Sequence, residues 1–241
     1  MKKRLTVVTT CYNQEKYIDL CIKGILNQKT NFDFELLISD DCSTDNTRQI
    51  IERYVEQYPN RIKTIFRQKN IGPMNNFIET LNLVDTEYVA LCDGDDFWID
   101  NNKLQKQVDY LDSNKKCNIC FHKVEVFWDD MSYITSLHPV NFEEYINFNE
   151  LLRENFITAN SVVYRWKYRK KNSLINDFPK DIVPGDYYLN LIHAHNSKIG
   201  YIDDIMSKYR RNPSGMWWMN SQPHLAHDFF DKYGLKQINF L

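Results

Sequence analysis

Three carboxylates crowd into four residues at Asp93-Gly94-Asp95-Asp96, directly after an apolar run that ends at Cys92. At that spacing mutual repulsion is unfavourable unless a cation or a set of hydrogen-bond donors compensates. Oxygen-only ligands suit a hard divalent ion, Mg2+ or Mn2+, held by one or two carboxylates and completed by water and substrate phosphates. The chemistry suggested is the handling of a diphosphate. Standing alone, an Asp-rich segment is more commonly a solvated turn. Here polar groups close two earlier apolar segments as well: Thr10, Tyr12 and Asn13 follow the first, and Asp40 and Asp41 end the second. A binding edge accounts for that recurrence better than chance does.

The elements that must position these residues alternate in the pattern of a layered α/β fold. A strand is predicted over 5–9. A helix follows over 15–28, where Tyr17, Leu20, Cys21, Gly24, Ile25 and Gln28 recur at three and four residues. The pattern repeats as strand 35–39, a turn, and helix 46–58, for which Ser43 or Thr44 would supply the cap. Strand 62–67 leads through Asn70-Ile71-Gly72-Pro73 into helix 75–84, and strand 87–92 delivers the acidic cluster. All three polar groups therefore fall at the carboxyl ends of strands, where open α/β sheets bind ligands. Beyond residue 103 the pattern is less regular. It reads as helix 104–114, strand 119–127, an irregular acidic stretch, helix 149–155, strand 161–164, helix 186–194 and an aromatic tail. No linker or repeat divides the chain, so a single domain over 1–241 is expected.

Composition narrows the function classes. With 43% hydrophobic and 26% charged residues over 241 positions, the chain has the make-up of a globular protein that can build a core without staples. Its 30 Lys and Arg are matched by 32 Asp and Glu and are scattered, which argues against a nucleic-acid partner. Met1-Lys2-Lys3-Arg4 has the charge of a signal peptide, but the apolar run after it stops at Val8 and turns polar at Thr9, so it reads as a strand. No stretch approaches the roughly 20 apolar residues of a membrane span. A cytoplasmic protein is expected, with any membrane contact peripheral. The six cysteines sit singly in apolar segments and read as reduced, buried thiols. Cys117 and Cys120 have metal-ligand spacing but lack a second pair.

Together, Val7-Val8-Thr9-Thr10-Cys11-Tyr12-Asn13, then Ile38-Ser39-Asp40-Asp41-Cys42-Ser43-Thr44-Asp45, then Asp93-Gly94-Asp95-Asp96 resemble the three successive signatures of family-two glycosyltransferases. Order and spacing match over roughly the first 115 residues, which the resemblance makes the nucleotide-sugar-binding half, with 116–241 as the acceptor-binding half and tail. The resemblance implies the GT-A fold, a mixed but mostly parallel sheet flanked by helices. It also implies an inverting transfer of a hexose-type sugar from a nucleotide-diphosphate donor, UDP being the expected one. The acceptor would be a hydroxyl of a glycan or lipid-linked glycan, in surface polysaccharide biosynthesis, with Mn2+ or Mg2+ as cofactor.

Carried over residue by residue, the resemblance places Thr10, Tyr12 and Asn13 in the nucleotide pocket, with Asp41 accepting from the base. Asp93 and Gly94 would lie beside the ribose and Asp95 on the metal. Asn70 and Gly72 match the family's Asn-x-Gly element, whereas its following Arg is absent here. Gly185-Asp186 resembles the element that supplies the base, so Asp186 is expected to take the acceptor's proton as its oxygen attacks the anomeric carbon. A helix N-terminal residue favoured by the dipole is the bland reading of the same Asp186. Lys208-Tyr209-Arg210-Arg211-Asn212 resembles a late Tyr-Arg-x-His loop that folds over the donor, with Arg210 pairing to diphosphate oxygens and Asn212 standing where the family has His. Trp217, Trp218, Phe229 and Phe230 could stack on an acceptor sugar or pack on the core, and His224, His227 and Asp228 have a weak metal-like spacing. Two rivals remain on the same fold, a nucleotidyltransferase and a non-catalytic sugar- or nucleotide-binding module. A dinucleotide-binding oxidoreductase is disfavoured because Gly-x-Gly-x-x-Gly is missing.

Overall fold

The computed structural model describes residues 3–129, 134–139, 145–169, 178 and 185–212. Its first half is the expected alternation: β1 (Leu5–Cys11), α1 (Ile18–Leu26), β2 (Phe34–Asp40), α2 (Thr47–Gln57), β3 (Ile62–Phe66), α3 (Pro73–Leu81) and β4 (Tyr88–Leu91). Then come β5 (Phe97–Trp98), α4 (Lys103–Ser113), β6 (Cys117–Trp128), β7 (Ile134–His138), β8 (Tyr145–Ile146), α5 (Phe148–Arg153), β9 (Val163–Arg165), α6 (Gly185–Ala194) and β10 (Lys198–Arg211). One sheet runs β3-β2-β1-β4-β9-β6-β10-β5, with β7 added on β6 and β8 on β10. Strands β3, β2, β1 and β4 are parallel; β9 is antiparallel to β4 and β6, while β6 and β10 are again parallel.

Both faces of this sheet are covered, and the strand residues divide between them by parity. Leu5, Val7, Leu36, Ile38 and Ala90 pack with Ile22 and Ile25 of α1, Ile51 of α2 and Leu104 and Val108 of α4. Val8, Leu37, Val89 and Leu91 face Leu81 of α3, Leu151 of α5 and Leu189 of α6. Two consecutive buried valines in β1 are the sequence trace of a strand with no solvent face. At the entry to α3, Gly72 holds φ +86°, a region that favours glycine, and Pro73 takes the first helical position.

Several local expectations are corrected. The regular part of α1 begins at Ile18, because residues 14–17 close a turn in which the Tyr17 N–H donates to the Gln14 carbonyl at 2.9 Å. Leu20, read as part of its buried stripe, is exposed. Neither Ser43 nor Thr44 caps α2: Asn46 stands at the N-cap without a side-chain cap bond, and Asp45 just before it accepts the Thr47 N–H on Oδ1 at 2.9 Å. The short strand β5 was not anticipated, and the acidic stretch contains β7. Above all, residues 198–211 form the 14-residue strand β10. Its register against β6 shifts at Ile202/Ile205 and again at Ile205/Ser207, which breaks the alternation that would have revealed a strand. Residues 208–211, expected in a loop, end this strand. Trp217, Trp218, His224, His227, Asp228, Phe229 and Phe230 lie outside the described residues.

Helix α1 crosses β5 at Gly24, where an added Cβ would stand 2.8 Å from the Trp98 carbonyl oxygen and 3.0 Å from its nitrogen. Both obstacles are backbone and cannot rotate away. Gly24→Ala is therefore expected to destabilise the fold by about 1–3 kcal/mol despite the better helix propensity of alanine. Urea unfolding checks this, and a neutral or stabilising result would show that α1 can slide off β5 freely.

Candidate functional site

The loops after β1 and β2 are locked together. The Asn13 N–H donates to Ser43 Oγ at 2.9 Å, and Asn13 Oδ1 accepts from the Thr44 N–H at 2.8 Å. Ser43 Oγ in turn donates to Asp40, and the Glu15 N–H reaches Asp45 at 3.0 Å. Asn13 and Cys42 turn the chain with φ of 53° and 64°. Tyr12, next to Asn13, is 45% exposed and so available to a planar ligand.

Asp41 is 2% exposed, and its two carboxylate oxygens divide between two backbone donors, Ile71 N–H at 2.9 Å and Gly72 N–H at 3.0 Å. Asn70 Oδ1 accepts from the same Gly72 N–H at 3.0 Å. The signature after β2 and the Asn-x-Gly element before α3 are thus one hydrogen-bonded unit, a link that sequence spacing alone does not reveal.

The acidic cluster leaves β4 in a tight turn, with Asp96 N–H donating to the Asp93 carbonyl at 3.0 Å and Gly94 N–H to the Thr10 carbonyl at 3.2 Å. Any side chain at Gly94 would press on Cys11 Cβ and Ile18 Cδ1, both at 3.0 Å, and on the Gln14 side chain, so the turn lies flat against the base of α1. Thr10 Oγ1 donates to Asp93 Oδ1 at 3.3 Å. Burial, then the neighbouring charges of Asp95 and Asp186, push Asp93 up to about 7. Asp95 is also raised by burial, although the Asn212 amide donates to its Oδ2 at 3.0 Å. Asp96 points away from this pair. It accepts the Arg210 backbone N–H at 2.8 Å and is held well above the usual carboxylate range by burial and by Asp95.

Arg210 sits under the turn. Its Nε donates to the Asp95 carbonyl at 2.8 Å, one terminal nitrogen pairs with Asp129 Oδ1 at 3.3 Å, and its guanidinium lies 4.5 Å from the Tyr17 ring centre. Asp186 stands in the first turn of α6, whose Gly185 packs against the end of the Met74 side chain of α3. Burial pushes Asp186 up to about 6, and Asp93, Tyr164 and Tyr209 all lie within reach of its charge.

Thr10, Tyr12, Asn13, Asp41, Asn70, Asp93, Gly94, Asp95, Asp186 and Arg210 accordingly all lie at the carboxyl edge of the sheet. Sequence reasoning passes over Tyr17 and Asp129, because the one reads as a member of an apolar stripe and the other as one acid in an irregular stretch. Tyr209 enters it only within the resemblance to a late Tyr-Arg-x-His loop. Among the described residues no group of three His, Cys, Asp or Glu side chains stands close enough to enclose a metal. The paired carboxylates of Asp93 and Asp95 still fit a hard divalent ion that takes one or two protein carboxylates and fills its shell from a ligand's phosphates. Their mutual repulsion is the unfavourable term that such an ion would relieve.

A family model described as Glycosyl transferase family 2 matches residues 6–176. An uncharacterized protein of Mycobacterium tuberculosis is 39% identical over 213 residues, 88% of this chain and 60% of that protein, so the chain spans about three-fifths of the mycobacterial relative. The Escherichia coli protein named UDP-Glc:alpha-D-GlcNAc-diphosphoundecaprenol beta-1,3-glucosyltransferase is 28% identical over 215 residues, 88% of this chain and 79% of its own. Among solved structures, TarS 1-349 of S. aureus in complex with UDP superposes with a TM-score of 0.64 at 20% identity, over 95% of this chain and 66% of that one. A mannosyltransferase from Pyrobaculum calidifontis, in complex with GDP-Man and Mn2+, gives 0.64 at 17% identity, over 96% and 64%. With the family model covering most of its length, the chain belongs to glycosyl transferase family 2, on the GT-A fold.

Proposed function

We propose that the protein transfers a sugar from a nucleotide-diphosphate donor, UDP in this reading, to a hydroxyl of a glycan or lipid-linked glycan acceptor, with inversion at the anomeric carbon. The observation that carries this reading is that Asp186, from the second half of the chain, lies within electrostatic reach of Asp93, at the carboxyl edge where β4 delivers the acidic turn. Tyr12 offers a face to the base, Asp93 lies beside the ribose, and Asp93 and Asp95 face the diphosphate. When bound there, Mn2+ or Mg2+ would stabilise the charge that develops on the departing diphosphate. Asp186 takes the proton of the acceptor hydroxyl as that oxygen attacks, so a single carboxylate base and an in-line displacement suffice. Arg210 supplies a fixed positive charge under the turn. The lipid-linked acceptor is supported by the name of the E. coli relative, and no helix among the described residues is long and apolar enough to cross a membrane.

Calorimetric titration with UDP, and with GDP in parallel, with and without Mn2+, tests the donor side. Asp95→Asn is expected to remove most Mn2+-dependent nucleotide affinity. Asp186→Asn is expected to leave that affinity nearly intact and to lower transfer by about 100-fold or more, the scale of a lost general base. Near-normal transfer by Asp186→Asn would falsify the base assignment. Binding of GDP without UDP would keep the fold and change the donor, and binding without transfer by the wild-type protein would point to a non-catalytic module.

The raised pKa of Asp186 gives a signed pH dependence. A base must be ionised to accept a proton, so transfer at saturating donor and metal should fall as pH drops through about 6 and level off above it. A rate that is flat from pH 5 to pH 8 would exclude Asp186 as the ionising group. For Asp41, loss of two charge-assisted bonds to the Ile71 and Gly72 backbone predicts that Asp41→Ala lowers stability by roughly 2–4 kcal/mol even without nucleotide. Equal denaturation midpoints for the two proteins would mean that Asp41 serves the base alone.

A further inference from the structure

Three side chains far apart in the sequence meet beneath the Asp93–Asp96 turn. Asp129, at the end of β6, accepts from Tyr17 Oη at 2.9 Å on one carboxylate oxygen and from the Arg210 guanidinium at 3.3 Å on the other. Asp129 is itself fixed, since its N–H donates to the Arg211 carbonyl at 2.9 Å. Tyr17 is pushed up to about 12 by burial and by its bond to Asp129, so its hydroxyl stays a donor at any physiological pH. The Tyr17 and Phe127 rings flank the guanidinium, with centres at 4.5 and 4.8 Å. Held this way, Arg210 gives its Nε to the Asp95 backbone carbonyl, and the Asp95 carboxylate receives the neutral amide of Asn212 instead.

This outcome is not what two such groups do when left to themselves. A guanidinium beside a carboxylate in a dry setting favours a direct, often bidentate, ion pair. Such a pair would occupy the oxygens of Asp95 and place a positive charge where a second cation must bind. Asp129 draws the guanidinium the other way, and Tyr17 fixes the carboxylate that draws it. Resting on the donor-site reading above, we infer that Tyr17 and Asp129 are positioning residues that turn Arg210 away from the Asp95 carboxylate and so keep that carboxylate open to a divalent ion.

The test is direct Mn2+ binding, followed by the electron paramagnetic resonance signal of free Mn2+ in the presence of saturating UDP or GDP. Tyr17→Phe keeps the ring and removes only the hydroxyl; Asp129→Asn keeps the shape and removes the charge. Each is expected to raise the Mn2+ concentration at half-saturation by about tenfold, the lower end for partners outside the immediate ligands. The double variant should be little worse than either single one, since both act through Arg210. Thermal unfolding of Tyr17→Phe should match the wild-type protein, and this variant decides alone if Asp129→Asn does not fold. Unchanged half-saturation in the variants, with normal Mn2+ and nucleotide binding by the wild type, overturns the positioning role and leaves the donor site standing. Failure of the wild-type protein to bind Mn2+ with either nucleotide overturns the donor-site reading and this inference with it.

Discussion

Putting three carboxylates into a buried turn is the constraint to which the rest of the structure answers. Desolvation and repulsion both oppose ionised Asp93, Asp95 and Asp96 in one place, and the raised pKa of each records that opposition. The fold divides the problem among the three. Asp96 is turned into the protein and bonded to the β10 backbone through the Arg210 N–H. Asp95 takes the Asn212 amide, and Asp93 takes only the Thr10 hydroxyl. Two of the three partners come from the end of β10. A strand from the far end of the chain therefore completes a turn made near its middle, and the parallel pairing of β10 with β6 is what delivers it.

The remaining loops answer a different need, that of holding an open edge rigid without a ligand. The loops described at the carboxyl edge are tied across the edge, 11–15 to 43–46 and Asp41 to 71–72, and the acidic turn is tied to Thr10 of β1 and Arg210 of β10. Most of these bonds run from a side chain to a backbone group, which fixes backbone position while leaving the facing side chains, such as Tyr12, unoccupied. A site built in this way loses little freedom when a ligand arrives.

Much of this was legible in the sequence, and the division follows a physical line. Strands buried on both faces carry unbroken β-branched and aliphatic runs, so β1, β2 and β4 were found with their ends nearly correct, and the residues at those ends were found with them. What was missed depends on pairing rather than on local pattern. Strand β10 carries Asp203, Asp204, Ser207 and Lys208 and three register shifts, so its alternation is broken along its length. The role of Asp41 in holding Ile71 and Gly72 spans some thirty residues and leaves no trace in either segment. Tyr17 illustrates the same limit: a helical stripe predicts that its ring is covered, whereas it is half-buried, and the stripe says nothing of where its hydroxyl points.

The placement of the two functional charges in the halves of the chain follows from the chemistry proposed for them. A group that must stay ionised beside a diphosphate benefits from a cation, whereas a base must give up that stabilisation to keep an affinity for protons. Asp186 meets the second requirement because it stands on a separate element, at the start of α6. There burial raises it to about 6, and no cationic side chain among the described residues pairs with it. Asp95 lies above Arg210, whose positive charge favours its ionised form. Had both carboxylates come from the same turn, one cation would have lowered both, and the base would have been lost to the binding site. Separating them by some ninety residues, with α6 packed on β6 and α5 at the same sheet, lets one edge hold, in the reading proposed above, a carboxylate for a metal and another for a proton.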